Sequence, residues 1–410
     1  MKAFIPLLCF PLFLYSYTLE ELVEVSHQNR VIEAATHGVH AKEKVYESTK
    51  SSYLPTVEIG GTYQNTYEET PAMAKNSLRA QASVRYTIYD GGKRGALYDQ
   101  LLMGVDAQKE NLEALKNTIS LDVTRLYFEY LSLNADKEAT HQEITQLQAE
   151  LERLEMFYKT GSVTRDEVDK IDSRLKSANV ALHEIELAIQ TVVHTLEYYT
   201  VQEVKSIEAG SSLQLPEVDA GEVRPDIKAL ELEAQSVMYE AQTKKSANYP
   251  SIFFENTLSR SEYYFDDKSK ESTFLVETQN IATINVAWNI LDFGATQKSY
   301  EAKQYEYLSK KASLEHEKNK AEVDYRLAKK AYEIAKLKIE ATKATLDATA
   351  ATYELVKLKY QNGTIDNVAY LQALSEKYDA QRGYERAKND LEVKKAEVLF
   401  YGGQTIKEFF

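Results

Sequence analysis

Apolar and polar residues alternate one by one in four short stretches of this chain. Almost everywhere else apolar residues recur every three or four positions. In the first stretch Val57, Ile59, Tyr63 and Tyr67 alternate with Thr56, Glu58, Thr62 and Gln64. In the second, Leu78, Ala80, Ala82, Val84, Tyr86 and Ile88 alternate with Arg79, Gln81, Ser83, Arg85 and Thr87. Ile252, Phe254 and Leu258 mark a third, and Ala282, Ile284, Val286, Trp288 and Ile290 a fourth. Period-two alternation predicts strands over 56–67, 78–90, 251–260 and 278–291. Each is close to the ~9–11 residues of a tilted transmembrane strand. On that reading Glu58, Arg79 and Arg85 face a wet interior. The other reading is two soluble hairpins packed on a helix.

The three-to-four spacing predicts helices of unusual length. A first helix covers 19–53 and stops at Pro55. The segments 93–160 and 295–362 each run 68 residues without proline, roughly 100 Å at ~1.5 Å per residue. Gly91, Gly92 and Gly294 stand at the strand-to-helix corners. Gly161 and Gly363 break the long helices, and return helices follow over 164–199 and 365–401. The first return helix carries Val168, Ile171, Leu175, Ala178, Leu182, Ile185, Ile189, Val192, Leu196 and Tyr199, a coiled-coil seam. In the second long helix, Ala341, Ala344, Ala348, Ala351 and Leu355 make a seam of small residues that lets backbones approach closely. The polar stretch 201–224, with Gly210, Pro216 and Gly221, reads as a connector.

The elements occur twice in the same order. Tyr158-Lys-Thr-Gly161 is matched by Tyr360-Gln-Asn-Gly363, 202 positions later, an offset shared by Asp90/Asp292, Gly92/Gly294 and Tyr199/Tyr401. Pro55 and Pro250 are 195 apart, so the second copy holds an insertion of 7 residues between its strands. The fold class is therefore mainly α with a small β part. It comprises two tandem repeats of helix–strand–strand–long helix–helix, over 17–200 and 225–410. A repeat that cannot close on itself points to function through assembly.

Composition narrows the partners. Residues 1–16 hold one lysine, Lys2, and an apolar run too short to span a bilayer, which reads as a secretory signal peptide. Cys9, the only cysteine, lies within it, so disulfides and thiolate chemistry are excluded from the remainder. A net charge of −14 argues against nucleic acid as a partner. No metal or cofactor is called for. His37 and His40 share a helix face without an evident third ligand, and no nucleophile, base and orienter set appears. Asp90-Gly91-Gly92-Lys93 lacks the strand–helix–strand surroundings of a phosphate-binding loop. An enzyme is not indicated. A periplasmic or surface coiled-coil scaffold without a pore accounts for the helices but not for four alternating strands in matched places.

Four strands make an open sheet, and an open edge cannot face lipid with its backbone groups unsatisfied. In a membrane several chains must close one barrel. Two chains give eight strands and a filled interior, and three give twelve and a pore.

The Leu-Glu-Glu-Leu-Val-Glu start at Leu19, Tyr53-Leu54-Pro55, Tyr89-Asp90-Gly91-Gly92-Lys93-Arg94 and the paired Tyr-x-x-Gly turns resemble the TolC-like outer-membrane factor family, in order and in both repeats. The resemblance implies a homotrimer with a shared 12-stranded β-barrel in outer-membrane lipid and an α-helical tunnel through the periplasm, in a Gram-negative bacterium. It implies a passive conduit of a tripartite efflux pump or type I secretion system, docked to a periplasmic adaptor and an inner-membrane pump, with 201–224 at its equator. In that family the Tyr-x-x-Gly turns form a gated periplasmic tip. Carried over, Tyr158, Gly161, Tyr360 and Gly363 are the turns and Glu167 the acidic link six residues on. Ile365, Ala369 and Gln372 stand where some members have an arginine and a carboxylate ring, and Asp366 lies out of phase.

Overall fold

The computed structural model describes residues 16–216, 223–271 and 273–410. The predicted signal segment, with Cys9, falls outside the described residues except for Ser16. The chain divides into two compact units, and both long helices contribute to each.

One unit comprises Met1–Ala35, Leu112–Pro225 and Lys318–Phe410. Its helices are α1 (Leu19–Ser26), the start of α2 (Arg30–Ser52), most of α3 (Lys93–Lys159), α4 (Arg165–Thr200), most of α6 (Ala295–Gln361) and α7 (Asn367–Tyr401). Thr18 and Glu21 form a capping box that starts α1. Leu19, Leu22, Val123, Tyr127, Leu196, Leu399 and Ile406 bury one core. The connector and the C-terminus close over it: Tyr17 bridges Ile207, Gln214 N donates to Phe409 O at 3.0 Å, and Tyr127 Oη donates to Glu208 O at 2.6 Å. Along α4 the seam residues Val168, Ile171, Leu175, Ala178, Leu182, Val192 and Leu196 are all buried. The corresponding stripe on α6 is not. Leu327, Ile334, Leu337, Leu355 and Leu358 are each more than half exposed, and Ala341, Ala344, Ala348 and Ala351 are exposed with them, while Ala328 and Ala335 are buried.

The other unit comprises Thr36–Asn111 and Asp226–Glu317. It holds most of α2, the first turns of α3 and α6, α5 (Pro225–Lys245) apart from Pro225, and the whole sheet: β1 (Thr56–Asn65), β2 (Asn76–Tyr89), β3 (Ser251–Tyr264) and β4 (Thr278–Ala287). The four strands are antiparallel in the order β1-β2-β3-β4. Directly opposed residues share a face. The register Glu58↔Ser83↔Thr257↔Ile281 and Thr56↔Arg85↔Glu255↔Thr283 therefore builds one mostly polar face. The register Val57↔Val84↔Asn256↔Ala282, with Ile59, Ala82, Tyr86, Ile252, Phe254, Leu258, Ile284 and Val286 around it, builds a mostly apolar one. A register shift between Thr87 and Tyr89 bends β2 before it enters α3. Every residue of β1 is exposed, and the outer edges of β1 and β4 pair with no other strand among the described residues. No described helix is long and apolar enough to cross a membrane.

Candidate functional site

The two hairpin turns are built by the same backbone device. Gly161, at φ 75°, donates its N–H to Tyr158 O at 2.9 Å, and Ser162 N donates to Phe157 O at 2.9 Å. Gly363, at φ 69°, donates to Tyr360 O at 3.0 Å, and Thr364 N donates to Lys359 O at 2.9 Å. This is the Schellman motif. The glycine takes the left-handed conformation while the tyrosine carbonyl accepts one of the closing hydrogen bonds.

The two tyrosine side chains have different surroundings. Tyr158 is exposed, with the Arg165 guanidinium 5.8 Å from its ring centre. Tyr360 is buried, stacked on Tyr370 at 4.7 Å between ring centroids, and the Arg153 guanidinium lies 4.9 Å from its ring centre. Arg153 is itself held by both oxygens of Glu150, at 2.6 and 3.0 Å. Burial first, then the Glu150 charge, raise the Tyr360 phenol well above its usual range. Burial pushes Tyr378, farther along α7, up to about 12. Tyr353, Tyr360, Tyr370 and Tyr378 thus form a tyrosine core between α6 and α7, in which the Tyr353 and Tyr360 hydroxyls find no partner.

Glu167 and Asp366 lie at the starts of the return helices. The Glu167 carboxylate makes no hydrogen bond or ion pair among the described residues, while its backbone oxygen accepts from Asn367 Nδ2 at 3.3 Å. Asp366 is the N-cap of α7, its Oδ1 accepting from Ala369 N at 3.0 Å.

A ladder of charge pairs farther along the hairpins ties α3 to α4 and α7, and the sequence reading missed it. Glu143 on α3, its side chain 4% exposed, accepts from Arg174 of α4 at 2.8 Å and lies 3.5 Å from Arg382 of α7. Arg174 also donates to Ser375 Oγ of α7 at 2.9 Å. Asp136, buried on α3, accepts from Arg386 Nε of α7 at 3.0 Å and keeps one oxygen without a partner. A cavity of about 270 Å³ lies beside these groups.

At the strand–helix corners Gly91, Gly92 and Gly294 all have positive φ, at 70°, 85° and 82°. A Cβ on Gly91 would sit 2.5 Å from Ser246 O, so only glycine fits there. The aspartates before them are caps: Asp90 Oδ2 accepts from Arg94 N at 2.8 Å, and Asp292 accepts from Gly294 N and Thr296 N at 2.9 and 2.8 Å. A first-turn amide that a phosphate loop would offer is thus taken by the chain's own carboxylate. On the sheet, Glu58, Arg79 and Arg85 all lie on the polar face. Arg79 Nε donates to Ser261 Oγ at 3.2 Å, and Arg85 sits 3.7 Å from Glu255 and 4.7 Å from the Phe253 ring centre. No group of described residues could hold a metal ion.

The protein therefore has polar machinery at two hairpin turns and a two-faced sheet with open edges. It superposes on a membrane protein from Pseudomonas aeruginosa with a TM-score of 0.85, at 15% identity, over 96% of this chain and 91% of that one. VceC, an outer membrane protein of Vibrio cholerae, matches with a TM-score of 0.83 at 15% identity, over 95% of this chain and 96% of its own. The CmeC outer membrane channel of Campylobacter jejuni matches with a TM-score of 0.83 at 16% identity, over 95% and 86%. At such identities the likeness establishes the fold. No curated protein sequence matches the chain. The family profile described as outer membrane efflux protein matches residues 22–200 and 218–403, nearly the whole of both repeats. The chain belongs to the outer membrane efflux protein family.

Proposed function

We propose that this chain is one subunit of a homotrimeric conduit in the outer membrane of a Gram-negative bacterium. The sheet carries the reading. It has one apolar face, one polar face and two unpaired edges, with β1 and β4 largely open in the single chain. Pairing β4 of one copy with β1 of the next satisfies the edges, and three copies give a twelve-stranded barrel wide enough for an aqueous pore. The apolar face then meets lipid, and Glu58, Arg79 and Arg85 line the lumen. The exposed Leu/Ile/Ala stripe of α6 supplies the helical seam between copies. A coiled-coil scaffold gives no reason for an apolar sheet face.

The conduit is passive, with no catalytic step. It receives cargo from a periplasmic adaptor and an inner-membrane pump, in efflux or in type I secretion. Its closed state is set where the two hairpins meet, at the turns Tyr158–Gly161 and Tyr360–Gly363, at Glu167 and Asp366, and along the ladder Asp136–Arg386 and Glu143–Arg174–Arg382. With Ile365 where some relatives carry an arginine, the ladder and the Arg153–Tyr360 contact are the polar links nearest the tip that this reading assigns to the gate, beside Asn367 with the Glu167 carbonyl there and Arg125 with Glu397 farther along. Opening is a shift between two helix packings, biased by partner contacts. Planar-bilayer conductance of the detergent-extracted protein, with its mass measured on the same sample, tests the reading. A trimer with small discrete conductance steps is expected, and a non-conducting monomer that needs no detergent would refute it.

A further inference from the structure

We infer that the cavity at the base of the sheet is a binding site for amphiphilic anions, a waypoint for cargo with an acidic group and an apolar body. This rests on the conduit reading above. The cavity measures about 1090 Å³ and is lined by the end of α5, the first turns of α3 and α6, and the strand ends. Thr87, Ser251 and Ala287 line it, and the strand register puts all three on the polar face of the sheet, the face that carries Glu58, Arg79 and Arg85. In a closed barrel the cavity therefore opens to the lumen.

Its charge is positive in an otherwise acidic protein. Lys93 and Lys244 line it, and neither ammonium has an ion-pair or hydrogen-bond partner among the described residues. Lys303 is paired with Glu240 and Glu306, and Lys310 with Glu233, while Lys245 and Lys298 lie in the same elements outside the cavity lining. Asp90 is the only acid in the lining, and it spends one oxygen on the Arg94 amide. Within the strands the polar face is balanced, Glu58 and Glu255 against Arg79 and Arg85. The uncompensated charge in the cavity lining is thus the Lys93 and Lys244 pair. Tyr53, Tyr249 and Trp288 line the same cavity, with Trp288 held by donating Nε1–H to Asn248 O at 3.1 Å. Aromatic walls with two unpaired cations suit a ring or aliphatic body bearing a sulfonate, carboxylate or phosphate. The site uses lysine side chains and needs no helix-terminal amide.

The probe is naphthalene-1,5-disulfonate, an aromatic dianion. Isothermal titration of the purified, detergent-extracted protein should show binding that Lys93→Gln with Lys244→Gln weakens by about tenfold or more, two charge-assisted contacts discounted for their exposure. Lys330→Gln with Lys343→Gln, two lysines removed elsewhere, should leave binding unchanged, and sulfate should bind far more weakly than the aromatic dianion. Absence of binding, or equal binding by the two double variants, would overturn the site. Titration reads the site whether or not the protein conducts. A conducting trimer that fails to bind the probe counts against this inference alone, and a non-conducting monomer counts against the conduit.

Discussion

Replacing Glu143 by glutamine keeps its shape and removes its charge. In the structure the Glu143 carboxylate, 4% exposed, serves Arg174 at 39% exposure and Arg382 at 19%. Breaking a fully buried pair costs ~3–5 kcal/mol. Both guanidiniums here reach solvent, and the glutamine oxygen can still accept from Arg174, so ~1–3 kcal/mol is the appropriate range. If that energy holds the α3–α4 hairpin to α7 in the closed state only, its loss multiplies the open-to-closed ratio by about 5- to 150-fold. The assay is single-channel recording of the Glu143→Gln trimer beside wild type, with Arg382→Gln and the double variant completing a cycle. The single variants should raise open probability, and the double should raise it by less than their product, because both remove one interaction. A folded, trimeric Glu143→Gln protein with unchanged open probability would refute the reasoning, even if its melting temperature fell.

Three further outcomes follow from the same geometry. Gly91→Ala should destabilise more than Gly92→Ala in thermal melts: both lose ~1–2 kcal/mol of left-handed backbone freedom, but only the Gly91 variant drives a Cβ to 2.5 Å from Ser246 O. Val84→Arg, on the apolar face of β2, should cost ~2–4 kcal/mol in membrane-inserted stability while neighbouring Ser83→Arg costs far less; equal losses would contradict the assignment of faces. His27, half-buried and hydrogen-bonded to Ser120 Oγ at 2.8 Å, has its pKa lowered from 6.5, by burial first. The unfolded chain therefore takes up the proton first, and stability present at neutral pH is lost as pH falls below ~6.5. Melting temperature should drop more between about pH 7.5 and 5.5 in wild type than in His27→Gln, and equal drops would exclude that role.

The fold class was legible because both repeats carry periodicities that backbone geometry enforces. Strand parity separated Glu58, Arg79 and Arg85 from Val57, Val84 and Ile284, and the α4 seam named residues that are buried. The exposed alanine stripe of α6 shows the limit of that reasoning. A seam in sequence says that something packs there, without saying whether it lies in the same chain. The Tyr-x-x-Gly turns were visible as a motif, and the structure explains the glycine through its positive φ and the tyrosine carbonyl through the Schellman bond. What tells Tyr158 from Tyr360 is side-chain company from other helices, Arg165 against Arg153 and Tyr370. The ladder was invisible for the same reason, since Arg386 and Asp136 lie 250 positions apart and Arg174 and Ser375 201. One signal was available and went unused. Asp90 and Asp292 share the repeat offset with the corner glycines, and an aspartate just before a helix is a capping residue.

The claim on which everything else depends is that β1 and β4 are joined between copies in a ring of three. With Cys9→Ser leaving no other thiol, Ile59→Cys on β1 and Ile284→Cys on β4 can be joined by a bismaleimide in the intact outer membrane and read on a denaturing gel. The account predicts bands at one, two and three copies, ending at three, and dependent on both cysteines. Bands absent altogether, or continuing past three, would contradict a closed trimeric barrel.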